Sequence, residues 1–223
     1  VTTGNLITTL INPDPTIYDT FGANVAIAGR TVVVSATGDD PGAVSGAGIA
    51  YVFDAITGNL QATLNNPEPD NGDNFGNAVA LYGTTAVIGV RNDESGGNSW
   101  AGTAYVFDVT TGNLISTLNN PSPWSQDYFG SSVGIYGNTA YVGAYGVDNG
   151  LSMSGELYIF DTATGNLTAT LANPDPAVND WFGYSMAVTE TTIAVGAIER
   201  DLYGINAAGA VFIFDRSDNS WVA

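Results

Sequence analysis

The chain has 223 residues, with 22 Asp and Glu against four Arg, no Lys and no His, for a net charge of −18. That balance repels phosphate backbones and anionic bilayers, so neither nucleic acid nor membrane insertion is expected of it. Cysteine is absent, which removes disulfides and thiolate metal sites, and no stretch approaches the roughly 18 consecutive apolar residues of a spanning helix.

Reading from the N-terminus, residues 5–10 (NLITTL) look like a short strand opened by the phrase Thr-Gly-Asn-Leu, which ends at Leu6. The same phrase ends at Leu60, Leu114 and Leu167, with Trp221 in the equivalent place. Phe-Gly recurs at Phe21, Phe75, Phe129 and Phe182, and Phe-Asp at Phe53, Phe107, Phe160 and Phe214. Three markers thus share one period of about 54 residues, which defines a tandem repeat. The copies run over about 19–64, 73–118, 127–171 and 180–223, within a single domain of residues 1–223.

Each copy parses into four strands. In the second, these are Phe75 to Leu81, Thr85 to Val90, Thr103 to Phe107 and Leu114 to Leu118. Val, Ile, Tyr, Phe and Thr dominate them, as a pleated, half-buried surface favours. The inner runs, such as Val32-Val33-Val34, are continuously apolar, as strands covered on both faces are. Asn-Pro-x-Pro links copy to copy at Asn12, Asn66, Asn120 and Asn173. Proline lacks the ladder donor, so these linkers must lie outside the sheets. The fold class that follows is all-β: a β-propeller of four four-stranded antiparallel blades, with the Phe-Gly strand innermost. Residues 5–10 are a fourth-type strand with no partner before it, and are expected to complete the blade containing Phe182 to Phe214 and so close the ring.

The string DNFGNAVALYGTTAVIG over Asp73 to Gly89, with the later AYVFD, resembles the FG-GAP repeat of integrin α-subunit propellers and of secreted bacterial proteins. The resemblance implies an extracellular or cell-surface setting and a scaffold for interaction. The integrin-type repeat carries a calcium loop, Asp-x-Asp-x-Asp-Gly, between its first and second strands. Here that connection is only Gly29-Arg30, Gly83-Thr84, Gly137-Asn138 and Thr189-Glu190-Thr191. Turns this tight leave no room for an oxygen cage, so the family's metal site does not carry over.

Acids recur with the repeat. Asp19, Asp73, Asp127 and Asp180 stand two residues before Phe-Gly, where a carboxylate accepts backbone N–H bonds. In the loop after the second strand lie Asp39-Asp40, Asp93-Glu94, a single Asp148, and Asp201 beside Arg200. The first two pairs are candidate ligands for Ca2+, a hard cation that prefers oxygen, while Arg200 would offset Asp201. Without His, Cys or Lys, the usual general bases and nucleophiles are missing, and no enzyme is expected. Trp100, Trp124, Tyr128, Tyr145, Trp181 and Tyr203 fall in loops outside the repeat pattern, as anchors of a protein interface or of sugar stacking would. The expected function is a non-catalytic adhesion or protein-interaction module, with a glycan-binding lectin as the alternative. Self-association is the expected consequence if the ring stays open.

Overall fold

In the computed structural model, which describes residues 4–219 and 221–222, the four copies form four antiparallel sheets of four strands. Val1–Thr3, Ser220 and Ala223, which fall within the domain bounds above, lie outside the described residues. The first blade is β1 (Phe21–Ala28), β2 (Thr31–Ala36), β3 (Ile49–Asp54) and β4 (Leu60–Asn65). The second is β5 (Ala78–Tyr82), β6 (Thr85–Val90), β7 (Thr103–Asp108) and β8 (Asn113–Asn119). The third is β9 (Phe129–Tyr136), β10 (Thr139–Ala144), β11 (Glu156–Asp161) and β12 (Leu167–Ala172). The fourth is β13 (Phe182–Val188), β14 (Thr192–Ala197), β15 (Ala210–Asp215) and β16 (Trp221–Val222). Each sheet runs in sequence order, and the first strands pack side by side: β1 on β5, β5 on β9, β9 on β13. The Phe-Gly strand is therefore the inner one.

The hydrophobic core is divided among the blade junctions. Val33, Ala50, Val52 and Leu64 of the first blade pack on Phe75, Ile88, Tyr105 and Phe107 of the second. Equivalent residues repeat this between the second and third blades and between the third and fourth. Phe75, Phe129 and Phe182 are fully buried at these seams. Each meets the Phe of its blade's Phe-Asp pair edge to face, at 5.9, 5.8 and 6.0 Å. Burying aromatic rings of this size supplies the largest apolar contributions in the fold.

Backbone hydrogen bonds fasten the same seams. The N–H groups of Gly72, Asn74 and Phe75 donate to the carbonyls of Ser45, Gly46 and Ala47. Gln126, Tyr128 and Phe129 donate likewise to Ser99, Trp100 and Ala101, and Asn179, Trp181 and Phe182 to Ser152, Met153 and Ser154. Each linker is locked by its own Asn. Asn66 Nδ2 donates to Asp73 at 2.9 Å, Asn120 to Asp127 at 2.8 Å and Asn173 to Asp180 at 2.7 Å. Those carboxylates also accept from the linker N–H groups of Asp70, Trp124 and Ala177. The repeated Asp thus ties the proline linker down onto the start of the next blade.

The expected closure through residues 5–10 does not occur. These residues form no strand, and the fourth blade takes its outer strand from β16 instead, which among the described residues pairs through Ile213↔Val222 and Phe214↔Trp221. No packing comparable to the other inner-strand contacts joins β13 to β1 among the described residues. Val25 and Ile27 on the first blade are 65% and 66% exposed, and Val211 on the fourth is 66% exposed. Side chains between sheets set the thickness of each wedge, and among the described residues the inner strand of the fourth wedge does not pack on that of the first. The blades make an open arc.

Candidate functional site: an aromatic row on the loop face

In every blade the approach to the first strand, the loop between the second and third strands, and the end of the fourth all lie at one end of the sheet. That face collects the loop residues, because the opposite end holds only tight turns such as Gly29, Gly83 and Gly137, each near φ +60°.

Four of the six candidate aromatics meet there in a single row. Trp100 stacks on Tyr128 with ring centroids 6.2 Å apart, and Tyr128 stacks on Tyr145 at 4.8 Å. Tyr145 then meets Trp181 at 5.2 Å and Tyr184 at 5.3 Å, and Trp181 stacks on Tyr184 at 6.0 Å. The row crosses from the second blade to the fourth. Trp100 and Tyr184 are exposed, and Tyr128, Tyr145 and Trp181 are half-buried. The indole Nε1 of Trp181 is buried and makes no hydrogen bond among the described residues.

Tyr184 is a member the sequence reading missed. It lies in β13, two residues after Phe182, and so not in a loop like the other candidates. Its signal was the break in the repeat, since Ala23, Asn77 and Ser131 hold the same place in the other blades. Trp124 and Tyr203 stand apart from the row. Trp124, 72% exposed, borders a cleft of about 620 Å³ together with Asp148, Asn149, Ser152, Glu156 and Tyr158. Asn149 Nδ2 donates to Glu156 Oε1 at 2.7 Å across one wall. Burial, with Glu156 alongside, pushes the Tyr158 hydroxyl well above its ordinary value. Tyr203 is fully exposed at the tip of the fourth blade's loop.

The backbone beneath the row is unusual. Tyr128, Trp181 and Trp100 hold φ of +54°, +55° and +60°. Bulky residues are disfavoured in this left-handed region by about 1–2 kcal/mol each. Asn74 and Gly46 occupy the corresponding places in the first junction at φ +55° and +63°. Those two residue types take the conformation readily.

The acidic pairs are parted rather than convergent. Asp39 turns inward and accepts from the Tyr51 hydroxyl at 3.1 Å, while Asp40 accepts from the Gly46 N–H at 2.6 Å. Asp93 accepts from Thr103 Oγ1 at 2.5 Å, and Glu94 from Ser99 Oγ at 3.1 Å. Burial raises both Asp39 and Asp93 above the ordinary carboxylate range. No group of three or more acidic side chains gathers around a common point among the described residues. A calcium ion needs six to eight oxygens, so at either pair it would have to draw most of its shell from waters and backbone carbonyls. Asp148 and Asp201 serve their loops, accepting from Met153 and Ala207 N–H groups at 2.7 and 2.8 Å. Arg200 does not neutralise its neighbour Asp201. Its long side chain reaches back to buried Asp180 at 2.9 Å and to Asp175.

The four-bladed arc with its inner Phe-Gly strands defines a protein of the β-propeller class. The FG-GAP repeat matches residues 5–53, 59–107, 120–160 and 166–214, and the chain belongs to that family. Among curated proteins none matches it. Among solved structures it is similar to a computationally designed protein, Ika8, with a TM-score of 0.56 at 15% identity. The likeness covers 89% of this chain and 47% of that one, so the chain spans about half the length of the structure it matches.

Proposed function

We propose that this is a non-catalytic interaction module of an extracellular or cell-surface protein, docking a protein partner on the loop face through the row Trp100–Tyr128–Tyr145–Trp181–Tyr184. The observation that carries the proposal is the continuity of five rings across three blades. Aromatic side chains in contact with one another and still open to solvent are the usual anchors of binding surfaces. Three of them are kept in a backbone conformation that glycine or asparagine would hold at lower cost, which points to retention for a purpose other than folding. Family membership supports the extracellular setting and the interaction role. The absence of His, Cys and Lys from the sequence supports a role without catalysis.

A second reading, a glycan-binding lectin, is favoured by the cleft beside Trp124. An exposed indole next to Asp148, Asn149 and Glu156 offers both a stacking platform and hydroxyl acceptors. Two measurements on the same purified chain separate the readings: a glycan array, and capture of surface proteins from the native setting. The expected outcome is saturable protein capture with no array signal competed by free sugar. Sugar-competed binding that is lost in Trp124→Ala and kept in Tyr145→Ala would overturn the first reading in favour of the second.

A further inference from the structure

The three blade junctions are copies of one design, and each end of the arc carries half of that design. On the first blade, Tyr18 and Thr20 correspond to Gly72 and Asn74. They hold the same left-handed backbone, φ +70° and +54° against +83° and +55°. No described residue accepts from either N–H. On the fourth blade, Ala207 has φ +51°, matching Gly46, Trp100 and Met153 at +63°, +60° and +49°. No described residue donates to its carbonyl or to that of Asn206. Donors are thus preset at one end and acceptors at the other.

The apolar surfaces and glycines divide in the same way. Ala194, Val211 and Ile213 sit where Val33, Ala50 and Val52 fill the first junction, and Val25 and Ile27 sit where Val79 and Leu81 receive them. Phe21 is only half-buried, whereas Phe75, Phe129 and Phe182 are fully covered. At the built junctions a Cβ on Gly102 or Gly155 would stand 2.0 Å from the next blade's Phe carbonyl oxygen. The equivalent Gly209 meets no next blade, and on the other side Gly22 has nothing within 4 Å.

Residues 5–10 already occupy a fourth-strand place against the first blade. Thr8 lies beside Gly58 as Ala62 lies beside Gly112 and Ser116 beside Gly165. Leu10 packs on the first blade's core in the place that Leu64 takes on the second. What residues 5–10 lack is a third strand to pair with. β15 offers one: among the described residues its outer edge pairs only at Ile213↔Val222 and Phe214↔Trp221.

We propose that each end of the arc docks onto the opposite end of a second copy of this chain, so that two four-blade arcs close one ring of eight blades. Each junction is head-to-tail and occurs twice, which closes the assembly without leaving an edge. Residues 5–10 of one copy pair with β15 of the other in the register of β4 on β3, opposing Leu10 to Val211 as Leu64 opposes Ala50, and displace β16. The similar solved chain, of which this one covers 47%, has the length that two such arcs supply.

Sedimentation velocity across micromolar concentrations tests the assembly, and a cross-link tests the register. The expected mass is about 46 kDa, twice 23.0 kDa. Val211→Arg, at an exposed position of the single arc, should sediment as a 23.0 kDa monomer with unchanged circular dichroism. Because the chain contains no cysteine, Leu10→Cys with Val211→Cys gives a clean readout: oxidation should yield a covalent two-chain band. A wild-type monomer at all concentrations, species larger than two chains, or a disulfide formed within one chain would each overturn the proposal.

Discussion

Replacing Gly102 by Ala is expected to lower the melting temperature by about 8–15 °C. Two penalties combine. Gly102 has φ +83°, where an alanine is strained by about 1–2 kcal/mol. Its new Cβ would also stand 2.0 Å from the carbonyl oxygen of Phe129 and 2.8 Å from that residue's carbonyl carbon and amide nitrogen. These are backbone atoms and cannot swing aside, so the second and third blades must part. The bond from Phe129 N–H to the Ala101 carbonyl, 3.0 Å long, would go with them. Severe substitutions of this kind cost about 4 kcal/mol or more, and in a chain of this size each kcal/mol moves the midpoint by about 2–4 °C. Gly209→Ala is the control. It has nearly the same backbone, φ +75°, but its nearest neighbour would be the Ile198 carbonyl at 3.4 Å. On the single-arc Val211→Arg background, where no second copy covers Gly209, it should lose only the conformational part, and thermal melting of the two variants side by side on that background measures the difference. Equal losses would mean that the blade contact contributes nothing.

Acidification from neutrality should stabilise the protein before it destabilises it. Asp73 is buried beneath the loop that precedes the second blade, and that burial raises its carboxyl from 3.8 to about 6. Its bonds from Asp70 N–H and Asn66 offset only part of the cost. The folded state therefore holds this proton more tightly than the unfolded chain does. The stabilisation from protonation is complete below the unfolded value near 4 and is lost as pH rises through about 6. The difference corresponds to about 3 kcal/mol. Asp39, Asp93 and Asp127 are raised by burial as well and act in the same direction. Asp54 opposes them: N–H groups of Thr57 and Ile56 hold it at about 2, so its contribution fails only in strong acid. Melting temperature should thus climb by about 6–12 °C between pH 7.5 and about 4.5, and fall again below about 3. Asp73→Asn should flatten much of the climb. A curve that falls steadily on acidification would contradict the assignment.

Much of the fold was legible because a repeat multiplies weak signals. TAVIGV alone is an ordinary apolar run, but at one period with VVVSA and YVGA it marks β6 to the residue. Asp19, Asp73, Asp127 and Asp180 were readable as loop-tying carboxylates from position. Their chief partner, an Asn seven residues earlier in the linker, was not, because that pairing depends on how the proline segment folds back. Whether four blades close was equally hidden, since the turn per blade follows from side-chain volumes summed across each seam. Aromatics stood out as departures from the repeat, and position placed them in loops. That Tyr128 and Tyr145 stack while Tyr203 stands alone depends on which loops lean over a neighbouring blade, a matter of tertiary packing. Arg200 shows the same limit: adjacency suggested Asp201, but the long side chain reaches buried Asp180 instead.

The central claim is that recognition resides in the aromatic row, and Tyr145 is its keystone, in contact with Tyr128, Trp181 and Tyr184. The most direct test is the affinity of Tyr145→Ala for the surface partner captured by the wild-type chain, with Tyr203→Ala as the exposed aromatic outside the row. Truncating a central anchor typically costs about 2 kcal/mol or more, or some 30-fold in Kd. The account predicts that loss for Tyr145→Ala, with circular dichroism and melting showing the fold intact, and less than a threefold change for Tyr203→Ala. Undiminished binding by folded Tyr145→Ala, or an equal loss in both variants, would contradict it.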